Sequence, residues 1–188
     1  MKRLDDAVLE QTVQGYNLPA DTLRQTLGQD ATLLVFLRHF GCIFCRETVA
    51  DLRRCQHDDP QYPRVLFVYQ GSLSDGAAFF ASLWPEAQAI ADPEKQLYQA
   101  FGITQGAWAQ MFGAPVWACG WRAARKGHSI GAPVGDPWTM PGLFLLQGDR
   151  LYWQHSFAHA GDHPDFAQLP QYLPQYLTAH PTGNVTPT

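Results

Sequence analysis

The chain has 188 residues, 46% of them hydrophobic and only 16% charged, which predicts a sizeable core and excludes an intrinsically disordered chain. The formal net charge of −4 offers no general attraction for nucleic acid. No stretch is long and apolar enough to span a bilayer, and Met1-Lys2-Arg3-Leu4 is not followed by the apolar core of a secretory signal. The expectation is a cytoplasmic protein with neither a nucleic-acid nor a membrane partner.

Leu4 to Val13 carries apolar positions at Leu4, Ala7, Val8 and Leu9 and predicts a short amphipathic helix, broken at Asn17-Leu18-Pro19. Asp21 to Leu27 predicts another short helix or turn. The first strong strand is the apolar run Leu33 to Leu37. It passes through Arg38-His39-Phe40-Gly41 into Cys42-Ile43-Phe44-Cys45, where a helical pattern begins and runs toward Cys55. Asp58-Asp59-Pro60 closes that helix. Val65 to Tyr69 is a second buried strand. Ser74 is the expected cap of the next helix, with Ala77, Phe80, Ala81 and Trp84 as its apolar stripe. Ala87 to Ala91 predicts a third strand, and Glu94 to Phe101 a helix ended by Gly102.

Residues 103–140 predict an insertion that begins as a helix and continues rich in loop. Its aromatic residues Trp108, Phe112, Trp117, Trp121 and Trp138 are expected to pack in the core or at an interface, with lining of a pocket as the alternative. Leu143 to Leu146 and Leu151 to Trp153, parted by Gly148-Asp149, predict a hairpin. A last helix is expected from His163, with a stripe of Phe166, Leu169, Tyr172, Leu173, Tyr176 and Leu177, although Pro170 and Pro174 oppose regularity. The order predicts an α/β fold, a mixed sheet with helices on both faces. Its early strands are parallel and the late hairpin antiparallel. The domain expectation is one unit over 1–180 with a flexible tail over 181–188.

The chemistry centres on Cys42 and Cys45. Four cysteines are too few for a disulfide-stapled scaffold. A Cys-x-x-Cys pair between a buried strand and a helix start points instead to redox use, with a zinc half-site or an inert structural pair as alternatives. At the helix start, Cys42 would meet free backbone N–H groups and the positive end of the helix dipole. Arg38, His39 and Arg46 are candidate sources of further positive potential, although strand alternation turns Arg38 and His39 apart. Arg122 and Arg125 are candidate contacts for an acidic substrate or the thiolate, with solvated surface arginines as the alternative. Cys55 is expected to be buried, and Cys119 is a less secure candidate for a resolving role. His155, His159 and His163 are expected to be surface residues, and no metal or other cofactor is expected. Met140-Pro141 precedes the strand at Leu143, where a cis proline would expose the Met140 backbone beside the cysteines.

The stretch Phe36-Leu37-Arg38-His39-Phe40-Gly41-Cys42-Ile43-Phe44-Cys45-Arg46-Glu47 resembles the thioredoxin-fold superfamily. More narrowly, it is similar to the peroxiredoxin-like AhpC/TSA family. Asp92-Pro93, Leu97-Tyr98, Phe101-Gly102-Ile103, Pro141-Gly142 with Phe144, and Ala160-Gly161-Asp162-His163-Pro164 extend the resemblance in order along the chain. It implies a thioredoxin-like fold with Cys42 and Cys45 in the first active-site loop. It also implies Pro141 at the cis-proline position, with the insertion ahead of it. It further implies thiol-dependent antioxidant or oxidoreductase activity. The chain departs from the usual peroxiredoxin pattern, Pro-x-x-x-Thr/Ser-x-x-Cys: Cys42 stands where the Thr or Ser is expected, and Arg38 where the Pro is.

The leading expectation is therefore thiol–disulfide exchange, with Cys42 attacking and Cys45 resolving. Peroxide reduction is the alternative, and the reverse order of the two cysteines stays open. A non-enzymatic binding protein is the alternative of a different class. The expected partners are a disulfide or peroxide substrate, a thioredoxin- or glutathione-type electron donor, and a second copy in a homodimer.

Overall fold

The computed structural model describes residues 2–107, 113–127, 131 and 134–173. Trp108, Phe112, Tyr176, Leu177 and the expected tail over 181–188 lie outside them.

The three apolar runs form the centre of the sheet. They are β3 (Ala31–Phe36), β4 (Arg64–Tyr69) and β5 (Gln88–Ala91), paired in parallel with Val35 opposite Phe67 and Val68 opposite Ile90. Nearly every residue of β3 and β4 is buried, because helices cover both faces and leave no solvent side to alternate toward. The two parallel connections run through α3 (Ile43–Asp58) and α4 (Leu73–Leu83). The late hairpin, β6 (Gly142–Gln147) and β7 (Arg150–Gln154), adds antiparallel strands, with Val35 opposite Leu143. Two short strands, β1 (Lys2–Arg3) and β2 (Gln14–Tyr16), complete the order β1-β7-β6-β3-β4-β5-β2.

The mixed sheet thus matches expectation, but its two edge strands do not. The single helix expected over Leu4 to Val13 is a four-residue helix, α1 (Asp6–Leu9), with β1 and β2 on either side. Alternate residues of the central strands feed two cores. Leu33, Val35, Phe67, Tyr69 and Leu145 pack with α3 and α4. Leu34, Phe36, Val68 and Leu146 face Leu9, the helix α2 (Leu23–Leu27) and the helix α5 (Gln96–Ala100).

Other expectations are corrected. Ser72, not Ser74, caps α4, through a capping box with Asp75. Gly76, Phe79 and Phe80 form the buried face of α4, while Ala77 and Ala81 are exposed. Within the described part of the insertion stands the helix α6 (Ala114–Arg125), and residues 108–112, where the opening helix of the insertion is expected, lie outside the described residues. The C-terminal stripe is present at Phe166, Leu169 and Leu173, but on a 3₁₀ helix, Phe166–Tyr172, that contains Pro170. A proline inside the turn removes one N–H donor and favours the tighter form. No described helix is long and apolar enough to cross a membrane.

Helix α4 crosses β4 closely at Gly76. A Cβ there would overlap the buried Tyr69 ring. Gly76→Ala gains helix propensity but overpacks this crossing, so a net loss of about 1–3 kcal/mol is expected in urea unfolding. Unchanged or raised stability would show that the crossing yields without strain.

Candidate active site

Strand β3 delivers the site. Beyond Phe36 the chain stays bound to its neighbour: the Leu37 N–H donates to the Val68 carbonyl at 2.9 Å. The Tyr98 hydroxyl is shared between the carbonyls of Leu37 and Val68, 3.0 Å from the latter. Gln70 donates from Nε2 to the Arg38 carbonyl. Phe40 then wedges the turn into the core, stacked on Phe79 with ring centroids 4.1 Å apart. Cys42 follows as the N-cap of α3, its own N–H bonded to the His39 carbonyl at 3.0 Å.

Arg38 organises the two sulfurs. Its backbone N–H donates to Cys45 Sγ at 3.3 Å, and its guanidinium Nη1 donates to Cys42 Sγ at 3.4 Å. The rest of the guanidinium is tied down by the Thr139 carbonyl at 3.1 Å and the Pro137 carbonyl at 2.6 Å. That segment is itself held by Gln70, whose Oε1 accepts from the Asp136 N–H at 3.0 Å, and by an ion pair between Lys95 and Asp136 at 3.0 Å. Both cysteines are free thiols and both are buried.

The two thiols differ in ionisation. Cys42 is lowered to about 6: the Cys45 thiol donating to its sulfur outweighs burial, with help from the Arg38 charge and the N–H groups of Cys45 and Phe44. Cys45 is pushed well above the ordinary thiol range, by burial first and then by its role as donor to Cys42. The arrangement therefore holds a thiolate on Cys42 and a proton on Cys45.

The other expected site residues divide. His39 accepts the Cys42 N–H at its carbonyl, but its ring adds no positive charge at neutral pH, because burial, aided by Arg38, lowers it to about 4. Arg46 lies over the Phe79 ring, 5.4 Å from its centroid. Met140 is buried and its N–H bonds to the Thr104 carbonyl at 3.0 Å. Pro141 lines a small cavity with Cys45 and Arg38, but the cis linkage is corrected: no cis peptide bond occurs among the described residues. Gln105 and Thr139 already pair as extended bridge partners, and Gly142 pairs with Phe36. A trans Met140–Pro141 bond, the intrinsically favoured form, carries the chain straight between these pairings.

Arg122 does not reach the cysteine pair. Its guanidinium makes two bonds to the buried Glu47 carboxylate, at 2.9 and 3.0 Å, and one to Cys119 Sγ at 3.4 Å. Lys126 adds a contact to Glu47 at 2.9 Å. Burial alone would raise the Glu47 carboxyl, but these two cations outweigh it and hold it at about 2. Arg125 is exposed on the same helix. Trp117 and Trp121 are 69% and 72% exposed, so of the core or interface packing expected for them the core half is corrected. His155, His159 and His163 do not share a helix, and His163 is half-buried against Thr48, with 3.2 Å between Nε2 and Oγ1. Among the described residues no cluster of three or more His, Cys, Asp or Glu is placed to hold a metal.

Sequence reasoning missed Gln70, Tyr98 and Thr139. For Gln70 a signal existed. It follows β4 as Leu37 and Arg38 follow β3, and residues at the carboxyl ends of adjacent parallel strands converge on one crevice.

Fold and paired thiols together define a thioredoxin-fold redox protein. Residues 53–159, more than half of the chain, match the AhpC/TSA antioxidant enzyme family, and the chain belongs to that family. The match begins after Cys42 and Cys45, so the assignment does not rest on the cysteine motif. No curated protein matches the sequence. Among solved structures, the Xanthomonas campestris bacterioferritin comigratory protein, studied for alkyl peroxide reduction, is 14% identical with a TM-score of 0.59, over 90% of this chain and 96% of that one. The thiol peroxidase of Chromobacterium violaceum is 15% identical with a TM-score of 0.59, over 95% and 89%. A Chlorobium tepidum protein assigned as a thiol:disulfide interchange protein DsbE is 16% identical with a TM-score of 0.53, over 92% and 95%. At these identities the likeness shows the fold. With the family it makes the chain a thiol-dependent oxidoreductase.

Replacing Arg38 by Gln is expected to move the Cys42 titration upward from about 6 toward the ordinary thiol range near about 8.5. A thiol alkylates only when ionised, so labelling of Cys42 at neutral pH should slow and its midpoint should shift to higher pH. An unmoved midpoint in iodoacetamide labelling followed by peptide mass would remove Arg38 from the account.

Proposed function

We propose that this chain is a dithiol oxidoreductase in which Cys42 attacks and Cys45 resolves. The observation that supports this order is the split between the two thiols: Cys42 is low, with donors aimed at its sulfur, and Cys45 is high and buried. The Cys42 thiolate attacks one sulfur of a substrate disulfide, and the other sulfur leaves with the bonding pair. The mixed disulfide is then attacked by Cys45 after it loses its proton. The remaining substrate sulfur departs, and the chain is left with a Cys42–Cys45 disulfide, two electrons having passed to the substrate. A thioredoxin- or glutathione-type dithiol or thiol reductant restores the pair.

One observation favours a hydroperoxide as the oxidant instead. Cys42 is only 5% exposed, which admits a small peroxide more readily than a protein disulfide. Cys42 would attack the distal oxygen, breaking the O–O bond and becoming a sulfenic acid as the other oxygen leaves as alcohol or water. Cys45 would condense with it, releasing a further water and giving the same intramolecular disulfide. Alkyl peroxide reduction and thiol peroxidase activity belong by name to two of the structural neighbours. The absence of a Thr or Ser in the position of Cys42 speaks against specialised peroxide binding.

Single-cysteine variants test the order and the oxidant together. Cys45→Ser should accumulate a covalent adduct with a disulfide substrate, and Cys42→Ser should not. The opposite pattern reverses the roles. Stopped-flow oxidation by hydrogen peroxide no faster than that of a free thiol would confine the enzyme to disulfides.

A further inference from the structure

The resolving step needs a proton acceptor. In the reduced pair the Cys45 proton is held toward the Cys42 thiolate. Once Cys42 is bonded to a substrate sulfur it carries no charge and can no longer take that proton. Cys45 is buried, so bulk water does not reach it directly.

A path leads away from Cys45 along α3. Thr48 lies one helical turn further on, on the same face, and its Oγ1 is 3.2 Å from Nε2 of His163. Cys45, Thr48 and His163 together line a cavity of about 20 Å³, whose walls also include Arg38 and the apolar side chains of Phe44, Leu143 and Phe157. A water molecule needs roughly 10–15 Å³ measured this way, together with polar partners, so the cavity has room for one. On its other side His163 lines a wide cleft of about 530 Å³. Phe166 also borders both spaces, but only the imidazole can carry a proton through.

We propose that His163, through Thr48 and a water in this cavity, takes the proton from Cys45 as it attacks and releases it to the cleft. This rests on the assignment of Cys42 as attacker and Cys45 as resolver. Proton and electrons balance. The Cys45 S–H electrons form the new bond to Cys42 Sγ, the substrate thiolate leaves with the old bonding pair, and the proton exits through the imidazole. One ring nitrogen accepts while the other releases, so the ring returns to its starting charge. The charged groups facing His163 are Glu47 and Asp51 from α3 and Arg122 and Lys126 from the end of α6; the Phe166 ring lies 5.5 Å away. Burial outweighs their mixed charges and lowers His163 to about 4, which keeps the ring neutral, and able to accept, throughout the neutral range. Arg38 N–H, already on Cys45 Sγ, is in place to receive the thiolate as it forms.

The test separates the two chemical steps with a chromogenic aryl disulfide. Attack by Cys42 releases one coloured thiolate, and resolution by Cys45 releases the second. His163→Gln keeps a hydrogen-bonding group beside Thr48 but cannot relay a proton, and Thr48→Val breaks the path at its other end. In both variants the first phase should match wild type, which shows that the site is folded. The second phase should slow by roughly a hundredfold at neutral pH, the usual scale of general acid–base assistance. It should also rise in proportion to hydroxide where the wild-type phase is nearly flat. A second phase of normal rate and normal pH profile in both variants would overturn the relay. A wild-type protein that shows no first phase would overturn the Cys42 assignment, and the relay with it.

Discussion

A guanidinium buried among main-chain carbonyls holds this site together. Arg38 sits at the end of the central strand and spends its donors on Cys42 Sγ and on the carbonyls of Pro137 and Thr139. A charge removed from water must be met by hydrogen-bond partners. Here those partners come from the far side of the insertion. The segment after α6 therefore has to return across the strand ends before β6 can begin. Gln70 and the Lys95–Asp136 pair fix that return. The same guanidinium also donates to Cys42 Sγ and adds its charge to the forces that lower that thiol, so one side chain joins the loop to the sulfur.

The different ionisation of the two cysteines follows from this geometry rather than from the motif. Both sulfurs are buried, and burial alone would keep both protonated. The difference is in donors. Cys42, at the helix cap, collects N–H groups from the first turn and a charge from Arg38; Cys45, a turn inside, offers its own hydrogen to Cys42. Beyond Cys45, the half-buried His163 imidazole, 3.2 Å from Thr48 Oγ1, borders both the small cavity at Cys45 and the wide cleft.

Much of this was legible in the sequence, for physical reasons. Runs such as Leu33 to Leu37 and Val65 to Tyr69 are apolar because both faces of the strand are covered, and turn residues bound them sharply. The cysteine pair announces itself by spacing. The edge strands Lys2–Arg3 and Gln14–Tyr16 were not legible, since two or three residues carry no periodicity and their pairing is set by β7 and β5. Glu47 was equally opaque: a glutamate in the first turns of a helix suggests a solvated partner of the dipole, and only the docking of α6 buries it. The position of Gln70 after β4 sets it near the site, but Tyr98 acts on carbonyls whose positions depend on the register of β3 against β4, which no local pattern encodes. The trans bond at Pro141 likewise follows from pairings on either side of it.

Helix α6 has its apolar character turned inside out. Its inward positions, Val116, Cys119 and Ala123, are small and pack with the core, and Cys119 meets Gly161 so closely that a Cβ there would overlap it. Its largest side chains, Trp117 and Trp121, lie a turn apart on the outer face. Hydrophobic burial alone would favour rolling the helix to hide the indoles. The grip of Arg122 and Lys126 on the Glu47 carboxylate forbids that rotation, because the ion pairs are directional and apolar contact is not. Glu47 thus acts as an indexing pin, fixing the azimuth of a helix whose broad aromatic face is presented outward.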